Sequence, residues 1–160
     1  MANAHERFMQ IAMEEARRGA AKGNVAVGSV VVHDENMVAR GRNLVATESD
    51  PTAHAETVAL RNAGAAMGHT DFSGFTLYTT FEPCPMCCGA ILASRVSTLV
   101  LGARFSDTSS QWGDYAVEKL LEMTGRGRHL RVITGVLTEP CLDLRRLEAS
   151  RANTGRSGTN

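Results

Sequence analysis

FTLYTTFEPCPMCCGAILASRVSTLVLGA, residues 75–103, holds a strand, a helix and a second strand in immediate succession. FTLYTT (75–80) and STLVLGA (97–103) are β-branched and apolar runs that suit buried strands, and a helix is predicted from Pro83 to Arg95 between them. A strand–helix–strand connection of this length closes right-handed and leaves its two strands parallel. Upstream, Asp50 as N-cap and Pro51 at the first helical position predict a second helix running through HAETVALRNAGAA to Gly68. Each of the two strands is therefore preceded by a helix, which predicts an α/β fold with a mixed sheet covered on both faces.

Working outward, VAVGSVVV (25–32) reads as a buried strand, HDEN (33–36) as a turn, and MVARGRNLV from Met37 as an antiparallel return strand. Between Glu6 and Ala20, Phe8, Ile11, Ala12 and Ala16 recur at helical spacing, and Gly23 ends the segment. On the C-terminal side, helices are predicted over Asp114–Met123 and Pro140–Ala149, with RVITGVL (131–137) as a fifth strand or edge element. No internal repeat occurs. Residues 1–150 are expected to form one domain, and residues 151–160, in the polar SRANTGRSGTN, a disordered tail.

Composition narrows the function. The apolar fraction of 43% and charged fraction of 21% over 160 residues are those of a soluble globular domain. No stretch approaches the roughly 20 apolar residues of a membrane span, and MANAHERFMQ lacks the pattern of a secretory signal. A membrane partner is therefore not expected. Formal net charge is zero, which weighs against obligate binding to a long nucleic acid. The arginines between 125 and 160 read as a solvated helix face. Three of the four cysteines, Cys84, Cys87 and Cys88, lie within five positions. That clustering reads as metal or redox chemistry in a reducing compartment, hence a cytoplasmic location, rather than as a disulfide scaffold.

The chemistry lies in two segments, His54-Ala55-Glu56 and Pro83-Cys84-Pro85-Met86-Cys87, each at a predicted helix start. Cys84 and Cys87, three apart on one helical turn, aim at one point, and His54 adds a nitrogen ligand from the neighbouring helix. Three protein ligands with an open fourth position define a catalytic Zn²⁺ site, whereas structural sites close with four. Zinc makes hydroxide available near neutral pH. Glu56, two residues from His54, has no ligand role to fill and is placed to move a proton. A lone Cys-x-x-Cys also suits a redox pair, and a lone His near a helix start is usually structural, but the two halves together favour zinc. Cys88 and Cys141 read as buried thiols.

At these residues the chain resembles the cytidine deaminase-like superfamily, in its nucleobase branch of guanine deaminases, yeast-type cytosine deaminases and tRNA adenosine deaminases. The resemblance spans Phe8 to Ala103 and is densest in GRNLVATESDPTAHAE and LYTTFEPCPMCCGAI. It implies a three-layer α/β/α fold with a five-stranded sheet and a homodimer or larger assembly. It also implies that Asn43 hydrogen-bonds the base and that backbone N–H groups of Ala55 and Cys84 hold substrate or the metal-bound oxygen. Without the resemblance, Asn43 would read as a turn residue. The chain departs from the family at Ala26, where guanine and tRNA deaminases usually carry Pro, and in the bulky loop FSDTSSQWGDY. No aromatic residue follows Tyr115, so a ring-stacking lid must come from that loop, from Phe81, or from a partner subunit. Trp112 is the better lid residue. Phe105 suits either the lid or the core, and Asp114 is a further substrate-contact candidate.

These features predict a zinc-dependent hydrolytic deaminase of a free nucleobase-like ring, such as guanine, cytosine or an amino-triazine, that releases ammonia. The alternative within the same chemistry is a tRNA wobble adenosine deaminase, for which DPTAHAE speaks and the neutral charge and altered loop do not. A non-catalytic zinc-binding module is the alternative of another class, and Glu56 argues against it.

Overall fold

The computed structural model describes residues 3–154. Helix α1 (Ala4–Ala21) opens on a capping box in which Asn3 and Glu6 satisfy each other's backbone N–H groups. Strands β1 (Gly28–His33) and β2 (Asn36–Arg42) form an antiparallel hairpin. After a short helix α2 (Val45–Glu48) come α3 (Ala55–Met67), β3 (Thr76–Phe81), α4 (Pro85–Ala93) and β4 (Thr98–Ala103). Helix α5 (Val117–Met123), strand β5 (Arg131–Ile133) and helix α6 (Thr138–Thr154) complete the order.

The sheet runs β2-β1-β3-β4-β5, with β1 antiparallel to both neighbours and β3, β4 and β5 mutually parallel. The mixed five-stranded sheet is as predicted. Alternation along each strand divides the core into two layers. Val30, Val32, Tyr78 and Val100 pack against α1 and α6. Val31, Leu77, Leu99 and Leu101 pack against α3, α4 and α5. Two glycines permit the closest helix–sheet approaches. A Cβ at Gly28 would lie 1.9 Å from the Ala12 carbonyl of α1, and one at Gly41 2.2 Å from the Ala55 carbonyl of α3.

Several boundaries differ from the sequence prediction. Val25–Val27 lie outside the ladder, because Val27 N–H donates to the Val25 carbonyl and Ala26 N–H to Glu148. Residues 43–45 leave β2, and the Asn24 side chain accepts from Ala46 and Thr47 to found α2. The second predicted helix starts four residues late. Asp50 accepts from both the backbone and the hydroxyl of Thr52, so Asp-Pro makes a turn, and His54 becomes the residue before the helix. The fifth strand is three residues long because Gly135 and Leu137 take left-handed backbone conformations. Residues 151–154, predicted as tail, continue α6, and residues 155–160 lie outside the described residues.

Candidate active site

The late start of α3 builds the site. His54 is the residue before α3 and Cys84 the residue before α4, each extended, with ψ of 157° and 169°. Pro85 follows Cys84 at the first helical position, where its missing N–H costs nothing. The two helix starts converge, and Cys87, one turn into α4, joins them. The candidate ligand atoms of His54, Cys84 and Cys87 all lie within 4.8 Å of one another, with His54 Nδ1 3.6 Å from Cys84 Sγ. Among the described residues this is the only such group of three or more. Two soft thiols and an imidazole are the donor set of zinc, and their protonation supports the fit. The Cys87 thiol and His54 hold Cys84 down to about 4 despite burial. Hydrogen bonds with Cys84 in turn raise both Cys87 and His54. A divalent cation on this donor set would displace protons from it.

Glu56 sits in the first turn of α3 and is buried. Burial pushes its carboxyl up to about 7, with Cys84 raising it further and its own backbone N–H and His54 opposing. A carboxyl balanced near neutrality both takes and returns a proton at pH 7.

A cavity of about 290 Å³ opens over the metal group. His54, Ala55, Glu56, Cys84, Asn43, Phe105 and Trp112 all line it, so the structure brings together every predicted site residue except Cys87 and Asp114. Cys87 lies beneath, fully buried. Asp114 is the correction: it points into solvent, paired with Lys119 at 2.6 Å. Asn43 is buried, and its carbonyl oxygen accepts from Val45 N–H at 3.1 Å. It therefore serves as a turn residue and faces the cavity as well. Phe105 also does both jobs, packing edge-on against Phe81 (5.1 Å) and Tyr115 (5.9 Å) while lining the wall. Trp112 is 40% exposed at the rim. Cys88 and Cys141 are buried thiols, as predicted, pushed up by burial to about 11 and about 12.

Two participants escaped the sequence. Buried Glu82 accepts from Arg104 at 2.7 Å and from the N–H groups of Phe105 and Val117, both at 2.9 Å. It thereby pins both ends of the Trp112 loop beside Cys84. Its only sequence signal is a lone acid between an apolar strand and Pro83. Arg145, predicted on a solvated face, lines the cavity with its guanidinium 5.2 Å from the Phe81 ring centre, and it pairs with Glu148 at 2.8 Å.

Fold and site together define an α/β/α protein with a His/Cys/Cys metal group beneath an open cavity. Residues 2–103 match the family described as the cytidine and deoxycytidylate deaminase zinc-binding region, and the chain belongs to that family, with zinc as its metal. A chloroplastic tRNA(adenine(34)) deaminase of Arabidopsis thaliana is 50% identical over 98 residues, 61% of this chain but 8% of that protein, so the chain spans a small part of it. The tRNA-specific adenosine deaminase of Haemophilus influenzae is 41% identical over 143 residues, covering 85% of this chain and 78% of the relative. Among solved structures, one from a study of A-to-I editing by tRNA:A34 deaminases superposes with a TM-score of 0.77 at 31% identity, covering 86% of this chain and 98% of that one. The guanine deaminase of Nitrosomonas europaea gives 0.76 at 29% identity, covering 90% and 84%.

Proposed function

We propose that the chain hydrolytically deaminates adenosine within tRNA, at the wobble position. The observation that carries this is the 41% identity, over most of both chains, to a tRNA-specific adenosine deaminase. The site agrees with it. The Trp112 loop leaves the mouth open, and Arg145 stands on its wall beside a groove that contains Arg17 and Arg151. Arginines near the cavity are groups that a phosphate backbone can use, although Arg145 is paired with Glu148, which lines the same groove. This replaces the free ring favoured by composition.

His54, Cys84 and Cys87 would hold the zinc, which would supply a water activated at neutral pH. Glu56 would carry a proton from water to the amino nitrogen as the ring C–N bond is exchanged for C–O and ammonia leaves. Asn43 offers donor and acceptor to the ring edge, and the Ala55 N–H, at the start of α3, adds a further donor. A homodimer belongs to the same proposal, because α4 (PMCCGAILA) is apolar on every side yet leaves Met86 exposed. Four free cysteines support a reducing, cytoplasmic setting. Among the described residues, no helix is long and apolar enough to cross a membrane.

Free guanine is the second reading, favoured by the likeness to a guanine deaminase and by an indole at the rim that could stack on a ring. Ammonia release and inosine formation should be measured on an anticodon stem-loop RNA with adenosine at the wobble position, and on adenosine, guanine and cytosine, at low and high salt. RNA conversion that falls steeply with salt is the expected result. Conversion of guanine with none of the RNA would overturn the proposal.

A further inference from the structure

Ser29 Oγ is the one buried side-chain oxygen or nitrogen among the described residues with no hydrogen-bond partner. It is fully enclosed in a strand where its neighbours Val30 and Val31 are apolar. Alanine would fit such a place without stranding a hydroxyl, so the hydroxyl calls for an explanation. Ser29 lies directly opposite Gly41 on one side and Thr79 on the other, so the three share one face of the sheet. Gly41 marks which face, because its missing side chain is what admits the first turn of α3. The row therefore lies beneath the turn that carries Glu56.

Thr79 is also fully buried. Its Oγ1 stands 3.0 Å from the Phe81 carbonyl and 3.4 Å from Glu56 Oε1. A hydroxyl has one proton and two lone pairs, so it cannot donate fully to both acceptors at once. Directly opposed Ser and Thr side chains hydrogen-bond across antiparallel strands, so rotation of Ser29 toward Thr79 would let it donate to a lone pair of Thr79 Oγ1, satisfying the orphan and fixing that oxygen beside Glu56.

We propose that Thr79, backed by Ser29, is a positioning pair that fixes the orientation of the Glu56 carboxyl group beneath the cavity. The inference rests on Glu56 as proton carrier. It gives these two buried hydroxyls a common purpose: one carboxyl oxygen is tethered to the sheet, and the group cannot swing away from the water and the amino nitrogen. Neither residue touches substrate.

The test uses the zinc-loaded full chain and whichever substrate of the panel above the wild type converts, so a wrong substrate cannot pass for a failed inference. Thr79→Val keeps shape and strand preference but removes the hydroxyl. It should lower kcat about tenfold, short of the ~10² that a misplaced group costs, with KM and zinc content unchanged. Thr79→Ser should recover most of the loss, and Ser29→Ala should show a smaller fall of the same kind. As a readout besides activity, the carboxyl stretching bands assigned to Glu56 by infrared difference against Glu56→Gln should move in Thr79→Val. Glu56→Gln also separates the two claims. If it turns over normally, the proton-carrier reading falls and this inference with it. If it is inactive while Thr79→Val keeps wild-type kcat and unmoved bands, the positioning pair alone is refuted. A Thr79→Ser as slow as Thr79→Val would also refute it, since packing rather than the hydroxyl would then be responsible.

Discussion

Gly41→Ala places one methyl group outside the site and should damage the site. A Cβ there would sit 2.2 Å from the Ala55 carbonyl, 2.4 Å from Ala59 N and 2.8 Å from Ala59 Cα. All three obstacles are backbone of the first turns of α3, so no side chain can turn aside. Restoring ordinary contact requires α3 to recede by roughly 1 Å, carrying His54 and Glu56 away from the thiols. Overpacking of this kind costs about 1–3 kcal/mol, and rigid obstacles favour the upper end. For a chain of this length that lowers Tm by on the order of 5–10 °C. A shift of ~1 Å in catalytic groups costs ~10² in kcat. Gly64→Ala in the same helix is the control. Its nearest neighbour, the His69 carbonyl, is 3.7 Å away, and replacing a mid-helix glycine should stabilise by about 1 kcal/mol. Thermal melts, zinc content and turnover of the two variants would be compared. A Gly41→Ala protein that melts with the wild type, holds a full equivalent of zinc and turns over normally would refute the claim that this glycine seats the site.

Glu56→Gln should keep zinc and fold while turnover falls about 10²–10⁴-fold, and near-normal rates would remove it as the proton carrier. Asn43→Ala should lower kcat/KM by the equivalent of about 1–3 kcal/mol; unchanged kinetics on the best substrate would take Asn43 out of substrate binding. In the metal-free protein the stabilisation contributed by Glu56 should be lost as pH rises. Glu56 goes from the ordinary 4.5 to about 7 on folding, so the native state holds a proton that the unfolded chain releases. Its contribution is fully present below pH 4.5 and is lost as pH rises through about 7, on the order of 3 kcal/mol in all. Denaturant melts of metal-free wild type and Glu56→Gln should therefore diverge across that window, the variant being the more stable at high pH. Parallel pH curves would contradict the burial argument.

The metal group was legible because its chemistry is local. Cys84-x-x-Cys87 needs only one helical turn to aim two sulfurs together, and His54-x-Glu56 needs only a helix start. Where that start fell was not legible. Asp50-Pro51 carries equally good signals for a helix N-terminus and for a turn. Thr52 decided between them by offering both N–H and hydroxyl to the Asp50 carboxylate. The decision matters chemically. Had α3 begun at Pro51, His54 and Glu56 would lie inside a helix roughly 200° apart. With His54 extended and Glu56 in the first turn, one residue reaches the metal group while the other lies under the same cavity.

What stayed hidden depends on pairings between strands or across loops. Asp114 looked like a site residue because it neighbours Trp112 in sequence, but Lys119 draws it outward. Arg145 looked like surface because α6 is charged along its length, but the Phe81 ring gives its guanidinium a place on the cavity wall. Glu82 is the instructive omission. A single acid between a strand and Pro83 reads as a loop residue, yet it is buried and takes an arginine and two backbone N–H groups. Those N–H groups belong to Phe105 and Val117, at the two ends of the loop that carries Trp112, so the rim of the cavity is fastened to the residue two before Cys84. Cleft mouth and metal group thus share one anchor. The bulky loop FSDTSSQWGDY, which suggested a lid closing over a small ring, is fastened at both ends and carries Trp112, 40% exposed, at the rim.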